Sequence, residues 1–502
     1  MQSCDTIIIG GGTNGLACAF RLAKAGHRVT VLEASDTLGG GANTVEFAPG
    51  YRVSGLAHIL HMLDPRVANA MAIGGVVGLP LITTALSDNP LTIIGNNGIE
   101  PNLETTEQLR WKILSDRLNR FAAALAPLRQ MTPPRLATGV SNELLKLAKI
   151  GFGLRRLGRS EFREFLRMIL INVADVLEDD LTDDRLMGLV AFDATLGAWL
   201  GPRSPNSLIL LLNRLSAGPL TLPRGGMGAV PDAMQKAAKS VGVTIRTSAR
   251  VARIIVDDNT ATGAELITGE VLSAKHVISA INPRTTFETL VGPGALDTGT
   301  LRQSRAIRSR GGAAKLHLAL TDAPAFKADL THRMVIAPSI RAVERAFNPV
   351  KYGEVPDRPV MEIVLPSAHE AGFAPPGHHV LSAVVQFAPH APENPDNARS
   401  TMLSNTLIIL EEHAPGIGKL IAHAEILMPY DIAARYGMAG GNWHHGELSV
   451  EQMLFLRPFV GAAQYQTPLP GLWLAGAGSH PGGGVSGTSG WNAAERLLEV
   501  TK

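Results

Sequence analysis

The sequence predicts a mixed α/β fold, with α+β elements, in which a Rossmann-type nucleotide-binding domain is interleaved with a second domain. Three observations predict it. One is an N-terminal run of strand, glycine loop, helix and second strand. Another is a glycine-dense strand–loop–helix run near the other end. The third is the length of 502 residues, more than a single compact core fills.

The N-terminal run comes first. Thr6 to Ile9 is the short β-branched stretch of a buried parallel strand, and it leads directly into Gly10-x-Gly12-x-x-Gly15. Leu16 to Ala25 then reads as a helix, with Gly26 just past its end, and Arg28 to Leu32 as the second strand, closed by Glu33. The three glycines act differently. Gly10 allows the tight turn, Gly12 lets backbone approach a pyrophosphate, and Gly15 lets the helix pack on the strand. The diphosphate would rest on the helix N-terminus, at Thr13 and Asn14, where N–H groups are free. Glu33, followed by Ala34, is placed to accept hydrogen bonds from an adenosine ribose, and its charge disfavours a 2′-phosphate. Leu38-Gly-Gly-Gly41 follows, so Gly40 and Gly41 are candidates to close over the same diphosphate.

The middle of the chain supplies further pieces. Leu222-Pro-Arg-Gly-Gly-Met-Gly228 leads into a helix from Val230 to Ser240. Strands follow at Val243–Ile245 and Val251–Val256, then a hairpin through Thr268-Gly269 and a strand at His276–Ala280. Near the C-terminus, Leu472 to Ala475 is a short apolar strand. A glycine-dense loop follows it, and then a helix from about Trp491. So much glycine carries an entropic cost, which is tolerable where backbone must lie against something flat and large.

The N-terminal run, the Gly39-Gly40 loop, Leu222 to Gly228 and Ala477-Gly-Ser-His-Pro-Gly-Gly-Gly-Val485 together resemble the phytoene desaturase branch of FAD-dependent oxidoreductases. That branch is related in fold to the flavin amine oxidases. Gly440-Gly-Asn-Trp-His-His-Gly-Glu447 resembles the phytoene-dehydrogenase-related group, which takes in proteins like pyridine nucleotide-disulphide oxidoreductase domain-containing protein 2. Two positions depart from the family pattern: Gly41 stands where an arginine is common, and Ser54 where an aspartate is.

The resemblance implies a flavin amine oxidase-like architecture with FAD as cofactor. It implies cofactor contacts from the backbone near Val251 to the adenine and from Gly478, Gly484 and Val485 at the flavin end. It also makes His444, His445 and His480, in glycine-rich loops like the family's active-site walls, the catalytic candidates. The FAD domain is expected to be discontinuous, from 1–70, 215–290 and 450–502, with 71–214 and 291–449 forming the substrate and cap domain. The flavin supplies the hard step, accepting hydride at N5 from a substrate C–H or C–N bond.

Composition narrows the function further. The net charge is +2, so no bulk electrostatic attraction to nucleic acid exists. Cys4 and Cys18 are the two cysteines and cannot form a CxxC pair, which argues against a dithiol redox centre. No HExxH or GxSxG occurs. His58-x-x-His61 has helical spacing for two ligands but no evident third, so no metal is expected. No second strand–GxGxxG–helix unit is present, so electrons are expected to leave to oxygen or a quinone rather than arrive from NAD(P)H.

The expected substrate is a small apolar organic molecule, isoprenoid- or polyene-like, undergoing dehydrogenation. The alternatives are amine oxidation, flavin-dependent isomerisation, and a largely non-catalytic flavin-bound role. Aromatics are scarce at 5%, which disfavours an amine-binding aromatic cage. The chain begins almost directly on a strand and has no long uncharged apolar run, so a cytoplasmic location is expected. From Leu144 to Leu170, Lys146, Lys149, Arg155, Arg156, Arg159, Arg163 and Arg167 alternate with apolar residues. Such a face suits either solvent or a peripheral membrane surface. A homo-oligomer is compatible with all of this.

Overall fold

The computed structural model describes residues 3–94, 98–99, 103–134, 148, 151–152, 155–156 and 158–501. Two sheets organise it. The first has seven strands in the order Thr244–Arg246, Val29–Leu32, Ser3–Ile9, Val271–Ser279, Thr260–Leu266, Val251–Asp257, with Leu472–Leu474 also paired to Val271–Ser279. The strand Ser3–Ile9 lies between two parallel neighbours, with Ile8 opposite both Val31 and Ile278. Its Ile7, Ile8 and Ile9 are buried, which explains why it reads as an unbroken apolar run rather than an alternating one. Val271–Ser279 is longer than its sequence suggests: Val271 to Ser273 closes the hairpin and Val277 to Ser279 receives Leu472–Leu474.

Helices cover this sheet. Thr13–Ala23 starts three residues before the expected Leu16, because its first turn is made of the residues that follow Gly12. It packs against Thr488–Val500, whose Gly490 has no room for a Cβ: an atom there would lie 1.8 Å from the Asn14 carbonyl oxygen. Thus N-terminal and C-terminal glycine runs meet through their helices. Ala229–Ser240 packs on the same first helix through Val230 and Met234.

The second sheet has eight strands in the order Ile421–Leu427, Ala313–Leu320, His379–Gln386, Val360–Val364, Arg333–Ile336, Thr83–Ala85, Leu91–Ile94, Gly98–Ile99. One face carries an apolar core with the helix Pro395–His413, through Met402, Ile409 and Leu410. Another core joins Val335 and Val360 to the helices Thr105–Arg129, Asp184–Thr195 and Ser207–Leu215. Among the described residues, no helix is long and apolar enough to cross a membrane. Of the basic stretch, Arg155, Arg156, Arg159, Arg163 and Arg167 are exposed, while Lys146 and Lys149 lie outside the described residues.

Candidate functional site

One cavity of about 1040 Å³ runs from the first glycine loop to the eight-stranded sheet. At its first end the walls are backbone. Gly12 caps the helix Thr13–Ala23 without any side-chain cap, and Gly12, Thr13 and Asn14 all line the cavity. A Cβ on Gly12 would meet no protein atom within 4 Å, so it would project into the open space. The helix N–H groups therefore face a void shaped for an anion. Gly10, at φ +104°, makes the turn, and a Cβ on Gly15 would lie 2.0 Å from the Gly10 carbonyl oxygen. The Gly39 N–H donates to the Gly11 carbonyl at 3.0 Å, tying the second glycine loop over the first, with Gly40 and Gly41 in the lining.

Glu33 and Ala34 line the same end. The Glu33 carboxylate accepts from the Gly11 N–H at 2.7 Å and the Ser35 N–H at 2.9 Å. Both bonds orient the acid and leave lone pairs on each oxygen for a ribose. Val251 lies beside it, with Ala249 and Ala252 completing an apolar wall. The Asn14 Oδ1 atom is buried without a hydrogen-bond partner among the described residues. A helix N-terminus without a side-chain cap, an unobstructed glycine and an orphaned amide oxygen fit a bound dinucleotide.

The flavin end is built by loops. Gly484 and Val485 line the cavity, as do His444 and His445. The His444 Nε2 accepts from the Trp443 indole N–H at 2.9 Å, which puts the imidazole proton on Nδ1, and that nitrogen has no partner among the described residues. Burial and the nearby Arg457 cation push His444 down to about 3 and His445 to about 4. Both rings are therefore neutral at ordinary pH.

Two expected residues stand elsewhere. His480 is buried behind the cavity wall, where its Nε2–H donates to the Leu128 carbonyl at 2.7 Å. Gly478 also lies behind the lining: a Cβ there would meet Pro283 at 2.4 Å, and the neighbouring Ala477 takes the cavity position. The His58-x-x-His61 spacing is not helical, since residues 55–64 form an irregular loop. His58 instead donates from Nε2 to Glu362 at 3.0 Å and faces the Ser382 hydroxyl through Nδ1 at 3.2 Å.

The sequence does not point to Arg457. Its side chain is 1% exposed, and among the described residues it makes no ion pair with a carboxylate. It donates to the carbonyls of His444 (2.5 Å), Gly446, Glu447, Gln452 and Ala477 (2.9 Å), binding the histidine loop to the C-terminal glycine loop. Burial lowers it to about 10, so it stays charged.

The substrate-side network is equally unmarked in the sequence. Arg333, 1% exposed, donates from Nε to Glu362 at 2.8 Å and from its two terminal nitrogens to Asp193 at 2.5 and 3.3 Å. Glu362, Asp193 and His58 line the cavity. Arg333 holds the Glu362 carboxyl far below the usual range despite burial, and burial pushes His58 down to about 4. Lys315 sits on the same strand as His317, and burial lowers its amine well below the usual lysine range. One signal is readable: Ala313–Leu320 places Lys315 and His317 at alternate positions of an otherwise apolar strand. The partners Asp193, Arg333 and Glu362 come from three separate segments and carry no such signal.

The chain matches the family described as flavin containing amine oxidoreductase over residues 15–498. It is 27% identical to "Pyridine nucleotide-disulfide oxidoreductase domain-containing protein 2" of Rattus norvegicus, an alignment covering 99% of this chain and 94% of the relative. It is also 27% identical to the "Hydroxyneurosporene desaturase" of Cereibacter sphaeroides, covering 98% and 97%. In fold it is similar to "Cyclohexylamine Oxidase" of Brevibacterium oxydans, with a TM-score of 0.59, 16% identity and 100% coverage of both chains.

Proposed function

This chain belongs to the flavin containing amine oxidoreductase family and is an FAD-dependent oxidoreductase, and from that premise we propose that it dehydrogenates an apolar substrate. The observation that carries this reading is the continuity of the cavity: the cradle opens directly into a chamber walled by Leu56, Ile59, Met62, Leu196, Leu210 and Leu220. An apolar frame buried there gains roughly 25 cal/mol per Å² removed from water.

Gly12, Thr13, Gly40 and Gly41 would hold the diphosphate, Glu33 the ribose, and the loops of His444–His445 and Gly484–Val485 the flavin ring. Bound there, FAD supplies a two-electron, hydride-accepting centre. The protein's own part is to orient the substrate and exclude water. His444 and His445 suit that part, because as neutral rings beside a fixed Arg457 they present shape and hydrogen-bond capacity without gaining charge. Asp193 and Glu362 are committed to Arg333, so neither is a free base, and a reaction led by hydride departure makes small demand on one.

The family name and the fold also admit amine oxidation. The lining contains Trp443 and Tyr436, and the Trp443 ring lies 6.1 Å from the neighbouring His444 ring. Electrons would leave to oxygen or a quinone. A cytoplasmic enzyme resting on a membrane surface accords with exposed Phe152, Leu166 and Leu170 among the exposed arginines of 155–167. The deciding experiment is the visible spectrum of the anaerobic protein titrated with detergent-dispersed polyenes and then amines. Bleaching by a polyene is the expected outcome. Bleaching by amines alone would make it an amine oxidase, and an intact flavin band throughout would favour an isomerase or a binding role.

A further inference from the structure

Arg457 is a buried charge held by backbone carbonyls alone. Its donors go to His444, Gly446, Glu447, Gln452 and Ala477, and to no carboxylate among the described residues. Those carbonyls satisfy its N–H groups, but dipoles do not cancel a net charge, whose energy falls only as the inverse of distance. Glu447, whose carbonyl it binds, gives its carboxylate to Arg310 at 2.7 and 3.0 Å and to Arg308 at 3.4 Å. His444, His445 and His480 surround the guanidinium. Burial holds them to about 3, 4 and 4, so they carry no charge at ordinary pH. Burial pushes the Tyr465 phenol up, so it too is neutral, and its hydroxyl donates to the His480 carbonyl at 3.1 Å. The other cation acting on His480 is Arg129, which has the same sign.

Its place gives this charge a use. His444 and Ala477 line the cavity, and Arg457 takes their carbonyl oxygens at 2.5 and 2.9 Å without lining it. One layer of peptide therefore separates the guanidinium from the space assigned to the flavin ring. The same bonds draw the negative ends of those two peptides toward the arginine. Burying a charge without an opposite partner is costly. A fold that keeps one beside a redox cofactor gains if the cofactor turns negative when it reacts.

We propose that Arg457 is the fixed cation that poises the flavin, favouring its reduced anion over the neutral oxidised ring and so raising its midpoint potential. This rests on the placement of the flavin ring between the two loops given above, and on no particular substrate. Reduction adds two electrons and one proton, together one hydride, and leaves a negative charge spread over N1 and the C2 carbonyl. In turnover the substrate C–H bond supplies both electrons and the proton. A positive charge behind the wall lowers the energy of that anion and leaves the neutral form nearly untouched, and in buried surroundings the effect is stronger than in water. The carbonyl bonds hold the guanidinium still, so it need not reorganise as the anion forms. Arg457 is thus a positioning residue in the electrostatic sense, with its effect carried through the wall.

The test is the flavin midpoint potential of the full-length FAD-bound protein, read by spectroelectrochemistry with mediators, so neither substrate nor turnover is required. The electrode supplies the electrons and water the proton. Arg457→Gln should weaken the preference for reduced over oxidised flavin at least about tenfold, a fall of about 30 mV for a two-electron couple. Arg457→Lys keeps the charge while losing most of the carbonyl bonds, and should move the potential less than half as far. An unmoved potential in the glutamine variant would overturn the proposal. Equal falls in both variants would also overturn it, since loop tethering and not charge would then set the potential. Should neither variant fold, the unaltered protein still decides. On the acid side of neutrality, where free reduced FAD takes up a second proton, its potential should change with pH as one proton per two electrons. Two protons there would mean a neutral reduced ring and sink the idea. His444→Ala reports the placement separately, through the visible circular dichroism of the flavin. If that signal changes while Arg457→Gln leaves the potential alone, the placement stands and the inference falls. If neither responds, the placement itself is wrong, and the inference falls with it.

Discussion

The cradle and the chamber are two ends of one cavity built by opposite means. The cradle is made of backbone: Gly12, Gly40 and Gly41 present peptide groups, and Glu33 is steered by two N–H donors from nearby residues. The chamber is made of side chains brought together from distant segments, with Asp193, Arg333 and Glu362 interlocked beside His58. Backbone can be read from spacing, because the glycines recur at fixed intervals around one turn and one helix start. A side-chain network tolerates many origins for each member, so its pattern exists only after folding. The cradle also fails by losing its ligand, whereas the chamber fails by losing its stability.

The largest expected effect tests the cradle. Gly12→Val places a branched side chain in the diphosphate space and should abolish FAD retention. A folded variant with normal visible absorbance would show that the glycine loop is not the cofactor site. Next comes Glu362→Gln, which strands the Arg333 charge against Asp193 alone. It should cost about 3–5 kcal/mol of stability, seen as a lower denaturation midpoint. If flavin content per folded molecule also falls sharply, the two ends are coupled rather than independent.

Acid should act mainly through the buried imidazoles. His58, His444, His445 and His480 are held to about 4, 3, 4 and 4, against 6.5 for an ordinary histidine. Between those limits the unfolded chain binds more protons than the fold. Stability is thus complete above pH 6.5 and is lost as pH falls toward 4. Each ring contributes on the order of 1.4 kcal/mol per pH step. Thermal denaturation followed across that window should show the decline, and a flat profile would mean these rings are not neutral in the fold. Smaller still, His444→Ala should slow substrate-driven flavin reduction on the order of tenfold through lost positioning. Last, His480→Gln should leave the reduction rate unchanged, since His480 bonds to Leu128 behind the wall. A slowed rate in that variant would return His480 to the site.

What is legible follows the same division. The order of strand, glycines, helix and second strand specifies the first sheet's centre, because each element there depends on neighbours in sequence. The helix beginning at Thr13 reads as starting late only because its first turn lacks apolar residues facing the core in a regular stripe. The C-terminal run reads as backbone lying against a flat ligand, which suits Gly484 and Val485. That pattern cannot separate Gly478, whose neighbour Pro283 arrives from nearly 200 residues earlier in the chain. His58-x-x-His61 misleads for a related reason: spacing implies a helix only where the backbone is helical, and here the loop sends His58 to Glu362, on a strand of the second sheet. Arg457 has no pattern at all, because its partners are carbonyls, and every residue has one.

A cradle made of glycine backbone has a consequence for stability. Glycine backbone has no side chain to collapse inward, so without its cofactor the cavity must either stay hydrated or let its loops loosen. A ligand that binds the fold and not the unfolded chain shifts the balance by mass action, about 4 kcal/mol at a thousandfold excess over Kd. Excess FAD should therefore raise the denaturation midpoint of the folded protein, in proportion to the logarithm of its concentration over Kd.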